Sequence, residues 1–210
     1  MLFSNQLIPA KLALANGRIF EGLAPEWQST NVSGEVVFNT GMTGYEETLT
    51  DPSYSGQILA FTYPILGNYG VGDGTNFESM KIHANGIICQ TLFNNPSHYG
   101  QTQNFLEWLK KEQTPLITGI DTRELTKIIR EHGVINGAIV FDNKIPKKFG
   151  DAMATNWVKI VSRSKAEILG NGKYKIILVD CGTKQNIIRN LLQFDITLKV
   201  VPYNYDYSNE

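Results

Sequence analysis

The segment Lys175-Ile-Ile-Leu-Val-Asp180 is apolar at four consecutive positions. A strand with one wet face alternates apolar and polar residues, whereas an unbroken apolar run suits a parallel strand covered on both faces. Gly182 follows as a turn, Ile187, Ile188, Leu191 and Leu192 form a helical stripe, and Ile196 to Val201 supplies a second strand. This is β-α-β, the opening unit of a doubly wound sheet. Two strands and one helix cannot cover both faces of such a sheet. The expectation is therefore a domain that has only begun within residues 174–210.

The preceding residues carry a different pattern. Lys11 to Gly22 reads as a hairpin about Asn16-Gly17, a pair suited to the positive φ angles of a type I′ turn. Strands are expected at Glu35–Asn39, Gln57–Tyr63, Gly86–Leu92 and Val134–Phe141, with a short extended piece at Pro115–Ile120. One or two helical turns fit Thr43–Leu49, closed by Asp51-Pro52, because the residue before proline leaves the α region. Gln103–Glu112 is helical, with Phe105, Leu106 and Leu109 on one face. Asp121-Thr-Arg-Glu124 has the spacing of a capping box ahead of Leu125, Ile128 and Ile129, and Gly133 ends that helix. From Asp142 the chain turns polar and reads as a connector, extended in part. The fold class is α/β: a mixed β/α N-terminal domain over 1–150, a connector over 151–173, and the first β-α-β unit of a parallel sheet over 174–210.

A net charge of −1, from 19 basic and 20 acidic residues, gives no electrostatic footprint for nucleic acid. The N-terminal segment Met1–Ala10 lacks the basic and apolar regions of a signal peptide, and no run of 18 apolar residues exists, so no membrane association is expected. Two distant cysteines, Cys89 and Cys181, do not make a disulfide framework and suit a cytoplasmic protein. Asn31-Val-Ser33 fits a glycosylation acceptor by chance.

Several constellations could carry chemistry. Cys181 follows a strand and precedes a helix, as a nucleophile does at an elbow, but Val179 and Thr183 stand where that elbow needs glycines. Cys89 lies in an apolar strand and reads as core. His83, His98 and His132 show no metal-ligand spacing. Gly67–Gly74 invites a phosphate-loop reading, yet no Gly-Lys-Ser/Thr follows it. Thr50-Asp-Pro-Ser-Tyr-Ser55 is either a helix-ending turn or a turn that presents the Ser53 hydroxyl to a ligand. The residues alone leave both readings open.

Taken in order, Gly34-Glu-Val-Val-Phe-Asn-Thr40, Met42-Thr-Gly-Tyr45, Leu49-Thr-Asp-Pro-Ser-Tyr-Ser55, Thr62-Tyr-Pro64, Gly67-Asn68, Ile120-Asp-Thr-Arg123 and Asn136-Gly137 resemble the N-terminal domain of the carbamoyl-phosphate synthetase small subunit. Val179-Asp180, Gly182-Thr-Lys184, Asn186-Ile187 and Arg189 resemble the start of its class I glutamine amidotransferase domain. The resemblance implies a subunit that hydrolyses glutamine to glutamate and ammonia, with a covalent thioester on an activated cysteine. It implies a large-subunit partner, in a heterodimer or higher oligomer, that makes carbamoyl phosphate from bicarbonate. ATP and a divalent metal belong to that partner, and no cofactor to this chain. It implies Ser53 as a glutamine contact. The family's catalytic cysteine, histidine and glutamate match nothing here and are expected beyond Glu210. The alternative is a non-catalytic docking module that shapes a glutamine pocket.

Overall fold

The computed structural model describes residues 7–142, 144–150 and 154–208. The first strands, β1 (Leu7–Leu14) and β2 (Ile19–Pro25), form the expected hairpin. Its turn differs from expectation. The Gly17 N–H donates to Leu14 O at 3.0 Å and the Leu14 N–H to Arg18 O at 2.8 Å, which closes a three-residue loop. Gly17 takes φ 86° while Asn16 stays outside the positive-φ region, so a single left-handed residue makes the bend.

The chain continues through β3 (Val32–Asn39), α1 (Tyr45–Thr50), β4 (Gln57–Phe61), β5 (Ile65–Leu66), β6 (Gly86–Ile88) and β7 (Thr91–Leu92). After these come α2 (Phe105–Lys111), β8 (Leu116–Ile117), α3 (Thr122–His132) and β9 (Asn136–Val140). Seven strands form one mixed sheet in the order β2-β1-β9-β3-β4-β6-β8. The β3-β4-β6-β8 side is parallel and the β2-β1-β9-β3 side antiparallel. The expected single strand over Gly86–Leu92 is two: β6 pairs with β4, whereas β7 leaves the sheet to pair with β5.

Both faces of the sheet are packed, as alternation along β4 shows. Leu59 and Phe61 join α1 and α2 through Leu49, Phe105, Trp108 and Leu109. Ile58 and Ala60 join α3 through Leu125 and Ile129. Each buried side chain of this size contributes about 1.5–3 kcal/mol. Asp121 caps α3 by accepting the N–H groups of Arg123 and Glu124 at 3.1 and 2.9 Å. The reciprocal half of the capping box is not made, because the Glu124 carboxylate pairs with Arg18 of the hairpin.

The connector holds more structure than expected: α4 (Trp157–Val161) and β10 (Glu167–Leu169). Then come β11 (Tyr174–Asp180), α5 (Gln185–Leu191) and β12 (Ile196–Pro202). The strands β11 and β12 are parallel, as the β-α-β reading requires, and β10 adds an antiparallel edge on β12. Ile188, Ile196, Leu198 and Val200 pack between α5 and this small sheet. The expectation of cover on both faces of β11 is not met among the described residues, where Tyr174, Ile176 and Ile177 stay exposed.

The two sheets are joined at the start of α5. Lys184 at the N-cap makes no side-chain cap. Glu78 substitutes from a distant loop: its carbonyl accepts the Gln185 N–H at 2.9 Å and its carboxylate the Asn186 N–H at 2.8 Å. Arg189 reaches back to Thr75 O and Phe77 O at 3.0 and 3.1 Å. A carboxylate at this end also meets the positive end of the helix dipole. Glu78→Ala is expected to cost about 1 kcal/mol, the usual worth of an N-cap. It should raise amide exchange at Asn186 while leaving β4 protected, as hydrogen-exchange NMR would measure.

Candidate functional site

The Thr50–Ser55 segment is built around Asp51, which is buried. Its Oδ1 accepts the Ser53 N–H at 2.9 Å. Its Oδ2 pairs with Lys184 Nζ at 2.7 Å, and this bond holds the Lys184 ammonium above its ordinary pKa. Pro52, with φ already fixed, opens a single 3-10 turn, Pro52–Tyr54. Tyr54 N–H donates to Asp51 O and Ser55 N–H to Pro52 O, each at 3.1 Å. The Ser53 N–H is thus tied, while its side chain is exposed and makes no hydrogen bond among the described residues.

Ser53 opens on a cavity of about 280 Å³ that it shares with Glu35, Gln57, Trp157, Cys181 and Gly182. Glu35 and Gln57 are register partners on β3 and β4, and Gln57 Nε2 donates to Glu35 Oε2 at 2.9 Å. The Cys181 loop is held by Asp180, whose Oδ1 accepts the N–H groups of Gly182 and Thr183 at 2.9 and 2.8 Å. Its Oδ2 accepts Arg163 N–H at 2.8 Å and Arg163 Nε at 3.2 Å. Burial pushes the Asp180 carboxyl up, but the Thr183, Arg163 and Gly182 donors outweigh it and hold the pKa below the ordinary carboxylate range. Gly182, at φ 101°, passes tightly between Val161 and Pro52, where a Cβ would meet them at 2.7 and 3.3 Å.

Cys181 is exposed and lies in this cavity, so Ser53 and Cys181, far apart in sequence, are neighbours across it. The positive φ falls on Gly182 and not on Cys181, and no histidine lines the cavity among the described residues. An activated thiol needs an adjacent base or a depressed pKa, and the histidines stand elsewhere. Cys89 is core, and burial pushes its thiol up to about 12.

His83 Nδ1 lies 2.8 Å from Ser55 Oγ beside a neighbouring cavity of about 600 Å³. His98 Nδ1 accepts the Gly100 N–H at 3.2 Å, and His132 Nδ1 donates to Ile128 O at 2.9 Å at the end of α3. No group of three metal-capable side chains exists among the described residues. No helix there is long and apolar enough to cross a membrane.

The glycine loop at 67–74 is committed internally. Tyr69 stacks on Tyr45 at 4.0 Å and accepts the N–H groups of Gly44 and Tyr45 at 2.8 and 3.0 Å, capping α1 from outside. The Gly72 N–H, which a phosphate would need, donates to the Glu46 carboxylate. Asn31, of the glycosylation pattern, is likewise used: its side chain bonds Asp142 and the Phe141 N–H at 2.7 and 2.8 Å. Trp157 and the Asp180–Arg163 tie carried no local sequence signal, because both act only across the fold.

A family profile described as carbamoyl-phosphate synthase small chain, CPSase domain, matches residues 12–139. The carbamoyl phosphate synthase small chain of Lactococcus lactis subsp. cremoris is 42% identical over 198 residues, covering 92% of this chain and 55% of the relative. The arginine-specific small chain of Saccharomyces cerevisiae is 38% identical over 215 residues, covering 96% of this chain and 52% of that protein. The mitochondrial carbamoyl-phosphate synthase [ammonia] of Aquarana catesbeiana is 38% identical over 218 residues, covering 99% of this chain and 14% of that protein. The chain thus spans about half the length of the separate small chains that it matches.

Beside this site, burial and, to a lesser degree, Lys81 push the His83 imidazole down to about 4 from an ordinary 6.5. The fold therefore holds His83 neutral, and the unfolded chain binds the extra proton. Its cost to stability is absent above pH 6.5 and grows as pH falls from about 6.5 to about 4. NMR titration should place its pKa near 4, and His83→Gln should flatten that part of the urea-midpoint profile.

Proposed function

This chain belongs to the carbamoyl-phosphate synthase small-chain family, and on that premise we propose that it forms the Ser53 side of a glutamine site in a glutamine-dependent carbamoyl-phosphate synthetase. The small subunit would release ammonia from glutamine, and a large-subunit partner would use that ammonia with bicarbonate and ATP. The divalent metal that accompanies ATP would sit in that partner. A cytoplasmic biosynthetic role, in arginine or pyrimidine synthesis, follows from the same reading.

One observation carries the glutamine assignment: Ser53 is fixed at its backbone and free at its hydroxyl, on a cavity between two sheets. Pockets of this kind, with a few convergent polar groups, suit small polar ligands. Family membership alone does not distinguish glutamine from ammonia as the nitrogen source, since an ammonia-named relative shares the same stretch.

Within these residues the proposed role is binding rather than bond breaking. The sequence contains no Gly-x-Cys-x-Gly. Cys89 is buried with a raised pKa, and Cys181 has no histidine beside it among the described residues. These features favour a docking and pocket-shaping module, with the nucleophile supplied from outside residues 1–210.

Two outcomes are expected. The 210-residue chain, assayed alone for glutamate release, should show no turnover above background; turnover like that of a complete small subunit would overturn the assignment of the nucleophile. In an assembled synthetase, Ser53→Ala should weaken glutamine use by about 0.5–1.5 kcal/mol, the worth of one hydrogen bond. Ammonia-dependent synthesis should be unaffected, because ammonia bypasses the glutamine contact. An unchanged KM for glutamine would count against Ser53.

A further inference from the structure

The segment over residues 78–85 runs beside the Ser53 turn and bonds it at both ends. At the front, the Glu78 N–H donates to Thr50 Oγ1 at 2.9 Å, the Ser79 hydroxyl to Thr50 O at 2.7 Å and the His83 N–H to Leu49 O at 2.9 Å. Past the turn, the Asn85 N–H donates to Gln57 O at 2.8 Å. Between these ties, His83 Nδ1 lies 2.8 Å from Ser55 Oγ, and Ser55 and Ala84 form an antiparallel bridge. Ile82 and Ala84, on either side of His83, are buried in the same core as Leu49. The segment is therefore anchored, and it acts as a splint for what it bonds.

The turn that carries Ser53 is held from two directions. Asp51 Oδ1 holds its front through the Ser53 N–H. Its rear rests on Ser55, whose N–H closes the turn on Pro52 O and whose side chain meets the His83 ring. Burial keeps that ring neutral. A neutral imidazole bonds a hydroxyl in either tautomer, as acceptor from its O–H or as donor to its oxygen. His83 thus brings the anchored splint to the rear of the turn, one residue beyond Tyr54.

We propose that His83 is a positioning residue for the substrate contact: through the Ser55 hydroxyl it fixes the rear of the Pro52–Tyr54 turn and so sets where the Ser53 hydroxyl stands in its cavity. The splint rests on the bonds of residues 78–85. Its use in glutamine binding rests on the reading of Ser53 as a glutamine contact. The imidazole itself needs no contact with the substrate and no proton transfer, so it acts only through Ser55 and the turn.

Kinetics and hydrogen exchange in an assembled synthetase test this together. His83→Phe should raise KM for glutamine several-fold, with kcat and ammonia-dependent synthesis near the parent values. His83→Asn, whose amide can bond Ser55 from the place of Nδ1, should restore most of the parent KM. Ser55→Ala, the smaller change, should act like His83→Phe and serves where the larger ring impairs folding. Adding His83→Phe to Ser53→Ala should raise KM no further, because the ring acts through that hydroxyl. Amide exchange in a peptide over residues 52–57, followed by mass spectrometry, should rise in His83→Phe and not in His83→Asn. Parent-like exchange in both His83→Phe and Ser55→Ala overturns the proposal. So does an equal loss of glutamine-dependent and ammonia-dependent rates, or a His83→Phe effect of full size in the Ser53→Ala background. An unchanged KM in Ser53→Ala, with exchange still raised in His83→Phe, would reject the glutamine reading and leave the splint standing.

Discussion

The carboxylate of Asp51 is the constraint on which the site depends. Its two oxygens are divided between a local and a distant task. One ends α1 and starts the Pro52–Tyr54 turn through Ser53 N–H; the other fixes Lys184, on the loop that leads into α5. A buried carboxylate left without its cation would be strongly unfavourable. Lys184 keeps 44% of its side chain exposed, however, so solvent screens the pair and the Coulombic gain is modest. The bond to Ser53 N–H is the better sheltered half. Asp51 therefore acts first as a cap that shapes the serine turn and second as a tie that brings the second sheet to it. Thr50 extends the same logic. Its hydroxyl donates to Glu46 O and accepts the Glu78 N–H, at 2.8 and 2.9 Å, and its carbonyl accepts the Ser79 hydroxyl at 2.7 Å. Glu78 in turn caps α5. Two adjacent residues at the end of one short helix thus set where another helix begins.

What the sequence revealed follows from how local each signal is. The two core helices and the long strands of the first sheet carry their own periodicity, so α2, α3, β3 and β4 were legible from apolar spacing. The cap at Asp121 was legible for the same reason, since its acceptor and both donors lie within four residues. The other half of that motif was not, because Glu124 had a distant competitor in Arg18. An ion pair between remote segments leaves no local pattern. The hairpin at Asn16-Gly17 was found, but its turn type depends on how β1 and β2 are offset, which a dipeptide does not encode. The run Gly86–Leu92 read as one strand, and only the sheet order shows that its halves pair with different partners. In the connector, α4 is too short for periodicity to register, and the close approach of its Trp157 ring to Gly56 is a contact between distant segments.

The site was legible to a smaller degree. Ser53 could be singled out because Asp-Pro-Ser describes a turn by itself, and the resemblance gave that turn a role. Its surroundings could not be read. Glu35 and Gln57 meet through strand register, Trp157 arrives from another element, and Cys181 and Gly182 come from the second sheet. The apolar run at 175–180 correctly indicated a parallel strand. Its promise of cover on both faces is unmet among the described residues, where Ile176 and Ile177 remain exposed.

The density of the motif between Gly34 and Ser55 has a structural origin. Gly34 is needed for the approach to Gly56, and Asn39 Oδ1 accepts the Gly41 N–H. Gly44 and Tyr45 give their N–H groups to Tyr69, while Thr50 and Asp51 bind the second sheet through Glu78 and Lys184. Several polar groups in the stretch hold another segment. The Ser53 hydroxyl is the one left uncommitted at the cavity among the described residues. On the proposed reading, the glutamine contact falls to a side chain that faces the cavity and bonds nothing else among the described residues, which is Ser53.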